Sequence, residues 1–209
     1  MCSRILLSCL LRRRARTFLS DAKGLAAVEL ALILPFAAML LSLVVFGSQA
    51  YWVQRKVTLA ATTVANIFAQ ANNTNASIIT AAELAQILAY PNLILYPYNS
   101  AGLQVVASQI LVTTNSNGTA TGTVCGSWAN ANGTPRPTGQ QLSIDRSIAS
   151  AFSSSTANST CGTSNASYVV LGEVQYPFQP TGIYFSVGTM TLHDSIIMIP
   201  RVASPITVQ

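Results

Sequence analysis

The stretch from Gly24 to Gln54 reads GLAAVELALILPFAAMLLSLVVFGSQAYWVQ and decides the architecture of the chain. Its only charge is Glu29, and the 25 residues from Leu30 to Gln54 have none. As a helix those 25 residues extend about 37 Å, which exceeds the bilayer hydrocarbon core of about 30 Å. The sequence therefore predicts a transmembrane helix over residues 25–54. A secretory signal peptide is the competing interpretation, but its apolar region has only about 7 to 15 residues and ends in a small-residue cleavage motif that is missing here.

Positive charge is concentrated at the flanks of this helix. The leader, residues 1–24, contains six arginine and lysine residues and one aspartate, and Arg55 and Lys56 follow the helix. The excess before the helix predicts a cytoplasmic N-terminus and places residues 55–209 outside, in the periplasm or beyond. After Lys56 there are three arginines and four acidic residues. This region has no basic cluster to neutralise phosphates, so nucleic acid is not an expected partner.

The four cysteines divide between the two sides of the predicted membrane span. Cys2 and Cys9 belong to the cytoplasmic leader, where thiols stay reduced. Cys125 and Cys161 fall in the exported region, where a disulfide persists. A bond between them would close a loop of about 36 residues and stabilise the fold by about 4 kcal/mol in the chain-entropy description. Two unrelated free thiols are the alternative.

Two helices are expected to contribute to the exported domain. The transmembrane helix should continue to about Gln70, because apolar residues recur beyond it at intervals of three and four. These residues are Val53, Val57, Ala60, Ala61, Val64, Ile67 and Phe68. A second helix is predicted to begin at a capping box of Thr80 and Glu83 and to stop at Pro91. Its inward-facing residues are Leu84, Ile87 and Leu88.

From Leu103 onward the apolar period changes to two, which indicates strands. Residues 103–114 and 119–125 flank Asn115-Ser116-Asn117-Gly118, a predicted hairpin with its glycine in the turn. Further strands are predicted over 168–176, with Tyr168, Val170, Gly172, Val174 and Tyr176 on one face, and over 192–201.

The segment between these strands differs in composition. Residues 126–167 are rich in Ser, Thr, Asn and Gly, and they are predicted to form a flexible polar insertion with a short helix from Ile144 to Phe152. The predicted fold class is α+β. A long N-terminal transmembrane helix continues into a small exported domain, residues 55–209, whose helices pack on an antiparallel sheet.

Glu29 and Pro35 are the unusual residues of the apolar helix. An acidic or basic side chain at the centre of a bilayer costs about 2.5 to 3.5 kcal/mol on insertion scales, so a carboxylate near hydrocarbon favours a functional role. The alternative for Glu29 is an interfacial carboxylate that reaches water. Pro35 removes the helical hydrogen bond to the carbonyl of Ala31 and permits a kink.

A basic leader precedes the apolar helix. Gly24 ends the leader, and Glu29 comes five residues later, within GLAAVELALILP at residues 24–35. This segment resembles the N-terminal signature of TadE-like proteins, the pseudopilins of tight-adherence (Flp-type) pilus systems. Residues 168–178, YVVLGEVQYPF, are similar to the V-x-x-E-V-x-Y strand of that family, and Pro200-Arg201 to its R-P-R ending. The resemblance covers both ends of the chain and not the middle. Leu30 departs from the tyrosine of many Flp-type prepilins, and Ile199 from the first arginine of the ending.

The resemblance implies a minor pseudopilin or assembly component of a pilus, held in the bacterial inner membrane by a single helix. A prepilin peptidase would cleave between Gly24 and Leu25 and leave a new amine at Leu25, one helical turn before Glu29. In a fibre, Glu29 of one subunit would neutralise the Leu25 amine of a neighbour. The implied partners are the membrane, the peptidase, other pseudopilins and the pilus assembly machinery.

Two other functions stay open on the residues alone. One is a membrane-anchored adhesin or ligand-binding module, with Trp128 and the polar insertion as its contact surface, although packing of Trp128 beside Cys125 is the simpler interpretation. The other is a membrane-tethered hydrolase that uses the single histidine, His193. Asp194 and Ser195 follow it in a predicted strand, where adjacent side chains point to opposite faces. Because no carboxylate pair or metal cluster stands out among the four acidic residues of the exported region, we expect no enzymatic activity, no metal and no cofactor.

Overall fold

The computed structural model describes residues 22–70, 78–114, 120–145, 147–148, 160–163, 166–180, 188–200 and 205–209. They divide into two compact units, an N-terminal helical segment that ends at Gln49 and a C-terminal domain that begins at Ala50. Most of the predicted leader, with Cys2 and Cys9, lies outside the described residues, as does the predicted hairpin turn 115–118. Arg201, from the predicted family ending, lies outside them as well.

A continuous helix, α1, extends from Ala22 to Gln70. In the N-terminal segment every residue from Ala26 to Leu40 is exposed. The most apolar 18-residue window of the helix has a mean hydropathy of 2.5 and no buried residue. In the part of the chain that the structure describes, α1 is the one helix long and apolar enough to cross a membrane. The prediction of a single helix capable of spanning a bilayer is confirmed.

From Ala50 onward α1 forms part of the core of the C-terminal domain. The predicted apolar stripe is buried there, with Ile67 half-buried at its edge. The fully buried residues of the stripe are Val53, Val57, Ala60, Ala61, Val64 and Phe68. The helix ends at Gln70, as the sequence predicts.

Helix α2 extends from Ala81 to Leu95 and begins at the predicted capping box. Thr80 Oγ1 accepts a hydrogen bond from the Glu83 amide at 3.2 Å, and Glu83 Oε2 accepts one from the Thr80 amide at 3.0 Å. The hydrogen bond from the Thr80 amide, with a second from the Thr80 hydroxyl to the same oxygen at 3.0 Å, lowers the pKa of the Glu83 carboxyl. The prediction that Pro91 stops the helix is wrong, because Pro91 lies buried inside it. Proline removes one intrahelical bond, and the burial of Pro91 and Leu95 offsets that loss.

Five of the described strands form one antiparallel sheet. They are β2 (Gln104–Thr114), β3 (Ala120–Ala129), β4 (Gln141–Ser143), β5 (Tyr168–Phe178) and β6 (Met190–Met198). Their order in the sheet is β4-β3-β2-β5-β6. The hairpin of β2 and β3 is confirmed by the pairing of Thr114 with Ala120. Two short strands not expected from sequence, β1 (Ile78–Ile79) and β7 (Thr207–Val208), pair in parallel.

The predicted polar insertion, 126–167, has regular structure in its first part. Residues 126–129 continue β3, and β4 follows at Gln141–Ser143. Strand β3 is longer than predicted because its end pairs with Val106 and Ala107 of β2. Of the predicted short helix, Ile144 is not helical, Ser147 and Ile148 are helical, and residues 149–152 lie outside the described residues. Flexibility of the segment stays a prediction.

The sheet buries side chains on both faces. On the helix face, Val105, Val170 and Val174 pack in one core with α1 and α2. On the outer face, a smaller cluster consists of Ile110, Val112, Ala120, Val124, Ile144, Val169 and Leu171. The predicted α+β class, with an antiparallel sheet and a long N-terminal helix, is confirmed.

Candidate functional site

The predicted processing residues lie at the beginning of α1. Gly24 is the third residue of the helix, and the first four amide N–H groups of a helix have no partner within it. Glu29 follows Leu25 by four residues in α1, about one helical turn.

Glu29 is exposed among apolar residues that are exposed as well, including Val28 and Leu30. The two serines of this segment bond to their own helix: Ser42 Oγ donates to the carbonyl of Ala38 and Ser48 Oγ to that of Val45, each at 2.8 Å. A hydroxyl can satisfy itself in this way in an apolar environment, whereas a carboxylate is an acceptor that needs a donor or a cation. Pro35 lies inside α1, which continues through it.

The predicted disulfide is present between Cys125 and Cys161. Cys125 is the extra residue at an irregularity of β3, since Gln109 pairs with Gly126 and Ile110 with Val124. The Tyr168 hydroxyl accepts a hydrogen bond from the Gly162 amide at 3.0 Å and donates one to the Thr163 carbonyl at 3.1 Å. The disulfide and Tyr168 together fasten the turn at residues 160–163 to the end of the sheet.

Trp128 is half-buried and packs against the core of the domain, and its role in a ligand-contact surface stays a prediction. Its ring lies 5.4 Å from the ring of Phe68, measured between centroids. It also covers Gly126, where an added Cβ would come within 2.6 Å of the Trp128 ring. The spacing of two residues along β3 places Gly126 and Trp128 on the helix face, which explains this packing.

A polar groove of about 410 Å³ lies on the outer face of the sheet, where β2, β5 and β6 meet the loop after β3. It is lined by Gln104, Val106, Thr134, Pro135, Arg136, Pro137, Glu173, Gln175 and His193. All of these residues belong to the C-terminal domain.

Arg136 and Glu173 form a two-point ion pair in this groove. Arg136 Nε and Nη2 each donate to a different oxygen of the Glu173 carboxylate at 2.6 Å. The hydrogen bonds to Glu173 raise the pKa of Arg136. The Arg136 amide also donates to Ser127 Oγ at 2.9 Å. Because the two charges cancel, the main remaining hydrogen-bonding side chains of the groove are the amides of Gln104 and Gln175 and the imidazole of His193.

The ion pair was not predicted from the sequence, although one signal was available. Glu173 is the only charged residue of β5, and its position in the alternation points it away from the helix face. Arg136 lies 37 residues earlier, between two prolines in a loop, where no periodic pattern indicates a return to the sheet.

His193 and Asp194 point to opposite faces, as predicted for neighbours in a strand. His193 lines the groove on the outer face. Asp194 accepts a hydrogen bond from Thr58 Oγ1 of α1 on the helix face, and from the Ser195 amide at 2.8 Å. The described residues that line the groove include Thr134 but no serine, and the described part of the chain has no group of three or more metal-ligating side chains.

Comparison of the chain with protein-family models, with curated proteins and with solved structures found no match. The resemblance of residues 24–35 to TadE-like proteins therefore stays a prediction.

Proposed function

We propose that this chain is a minor pseudopilin or assembly component of a tight-adherence pilus, held in the bacterial inner membrane by the first part of α1 and cleaved between Gly24 and Leu25. The observation that supports this most is the setting of Glu29. It is the only polar side chain among the exposed residues from Ala26 to Leu40, and it lies one turn after Leu25.

The energetics of this setting favour a partner in an assembly. An unpaired carboxylate on a helix surrounded by hydrocarbon is unfavourable, and the new Leu25 amine of a neighbouring subunit would neutralise it. Removing one member of a desolvated ion pair costs about 3 to 5 kcal/mol, because the other charge is left unpaired. The pair would therefore fix the register between neighbouring helices.

Replacing Glu29 separates assembly from membrane anchoring. We expect Glu29→Ala to insert at least as well as the parent, since the substitution removes a charge from an apolar helix. Surface piliation should fall by at least about tenfold, because the neighbouring amine loses its counter-charge. The two readouts are the amount of mature protein in the inner membrane and the amount of surface pili in the same cells.

Ser42→Ala is the matched control for that experiment. It removes a polar group from the same segment, but one that bonds to its own helix through the Ala38 carbonyl. Piliation should be unchanged. Normal cleavage and unchanged piliation in Glu29→Ala would instead make Glu29 an interfacial carboxylate and favour an anchored adhesin.

The polar groove supports that second candidate, a membrane-anchored adhesin or ligand-binding module. Its volume of about 410 Å³ falls within the usual range for small-molecule sites, about 300 to 1,000 Å³. Neutral amide groups suit an uncharged, hydroxyl-rich ligand such as a sugar. For this candidate, Gln104→Ala with Gln175→Ala would reduce surface adherence while piliation stays normal.

A further inference from the structure

Several large apolar or aromatic side chains of the C-terminal domain are exposed, and four of them lie at the beginning of its part of α1 and near the end of α2. The exposed fractions are 60% for Tyr51, 58% for Trp52, 75% for Leu93 and 77% for Tyr96. Grouped exposure of this kind marks a surface that contacts something other than water.

A hydrogen bond joins the end of α2 to this part of α1. Lys56 follows Trp52 by one helical turn of α1, and its Nζ donates to the carbonyl oxygen of Tyr96. Leu93 precedes Tyr96 by three residues, in the last turn of α2. Arg55 lies over the ring of Tyr51, 5.6 Å from its centroid.

We infer that this aromatic and basic patch, formed by Tyr51, Trp52, Arg55, Lys56, Leu93 and Tyr96, contacts the lipid headgroups of the membrane that α1 spans. The patch lies within the C-terminal domain, and the inference depends on the span but not on pilus assembly.

Continuity with the span identifies lipid as the occupant. Tyr51 and Trp52 occur at the end of the predicted transmembrane stretch, 25–54, and tyrosine and tryptophan concentrate at the level of the headgroups. Lys56 lies only about 6 Å further along the helix than Trp52. The headgroup layer extends about 5 to 8 Å beyond the hydrocarbon on each side, so Tyr96, which is bonded to Lys56, reaches that layer.

The chemistry of the patch suits such a surface. Tyrosine and tryptophan have an apolar ring with a polar group at its edge, which matches the change from acyl chains to water. Arg55 and Lys56 add positive charge, which is attracted to anionic headgroups. The contact gives the domain a second attachment beside its covalent link to the span.

Quenching of tryptophan fluorescence by brominated lipids tests the contact on the full chain in vesicles. The bromines are placed on the upper acyl carbons, and all variants contain Trp52→Phe, so that Trp128 is the common background. Tyr96→Trp and Leu93→Trp each place a reporter in the patch, at positions whose exposure tolerates the larger ring.

Ser143→Trp is the matched control, because Ser143 is exposed at the other end of the sheet. Ser143 pairs with Thr121 of β3, and Thr121 pairs with Thr113 of β2. Thr113 lies about 30 Å along β2 from Gln104. The patch lies at the opposite end of the sheet, near Gln104. Tyr98, two residues after Tyr96, contacts Phe178 at that end of β5.

We expect brominated lipids to quench at least about twice as large a fraction of the fluorescence of a tryptophan at position 96 or 93 as of one at position 143. The reason is that an interfacial tryptophan lies close to the bromines. Quenching at both patch positions no greater than at position 143 would overturn the inference, and the patch would then face water or a protein partner.

Discussion

Arg136 and Glu173 are the residues that connect the loop after β3 to the outer face of the sheet. Their side chains are only 27% and 13% exposed, so both charges are largely removed from water. The two-point geometry is the strong form of a charged hydrogen bond. The loop is also bonded to β3 through its backbone. The Gly139 amide donates to the Val124 carbonyl, and the Val124 amide donates to the Gln140 carbonyl. The ion pair therefore shapes the polar groove as well as stabilising the domain.

Replacing either partner should be destabilising. We expect Glu173→Ala and Arg136→Ala each to lower the free energy of unfolding by about 1.5 to 3 kcal/mol, as for other hydrogen bonds to charged groups. The double variant should lose less than the sum of the two, because the second substitution removes a charge already unpaired. Chemical denaturation of the detergent-solubilised protein measures these values.

Gln175→Ala serves as the control, since Gln175 lines the same groove two residues along β5. Its effect should stay within about 0.5 kcal/mol. Strictly additive effects of the Arg136 and Glu173 substitutions would contradict a direct energetic role of the pair.

At the level of elements, the crossing of α1 over β5 depends on small residues. A Cβ added at Gly172 would come within 2.9 Å of both the Ala61 carbonyl oxygen and the Ala65 Cβ. Two of the nearest atoms belong to the helix backbone, which cannot turn aside as a flexible side chain can. Gly172, Ala61 and Ala65 therefore set the distance between helix and sheet.

Two glycine substitutions should consequently differ in their effect on the stability of the domain. We expect Gly172→Ala to destabilise the domain by about 1 to 3 kcal/mol, because the helix must move away from the sheet. At Gly188 an added Cβ meets nothing within 4 Å, so Gly188→Ala should be neutral or stabilise by up to about 1 kcal/mol through the unfolded state. Thermal unfolding of both variants under one condition gives the comparison. Equal effects at the two positions would mean that α1 does not approach the sheet closely.

At the scale of the whole molecule, α1 serves two environments in succession. Its first part is apolar on every side and exposed, whereas its part after Ala50 buries one stripe in a folded core. A periodic stripe is present only in the second part, and this change in pattern is readable in the sequence. For the same reason α1, the capping box of α2 and the hairpin were predictable, since each depends on residues close together in the chain.

The features that sequence reasoning missed depend on distant residues. Pro91 stays helical because the core buries it, and β3 reaches Ala129 because β2 is there to pair with. The parallel pairing of β1 with β7 joins residues near 78 to residues near 207. Arg136 finds Glu173 only after the sheet has formed. Among the site residues, the cysteine pair was predictable from compartment and number alone, whereas the groove required the fold.

Processing between Gly24 and Leu25 is the claim on which the proposed function depends most. The most direct measurement is the N-terminal sequence and intact mass of the membrane-extracted protein from cells that contain a prepilin peptidase. We expect the mature chain to begin at Leu25. Gly24→Val should retain the leader, because a side chain at that position obstructs a narrow protease cleft, whereas Gly47→Val, at an open position of the same helix, should be processed normally. An N-terminus other than Leu25, or the same mature mass for Gly24→Val and the parent, would contradict the pseudopilin assignment.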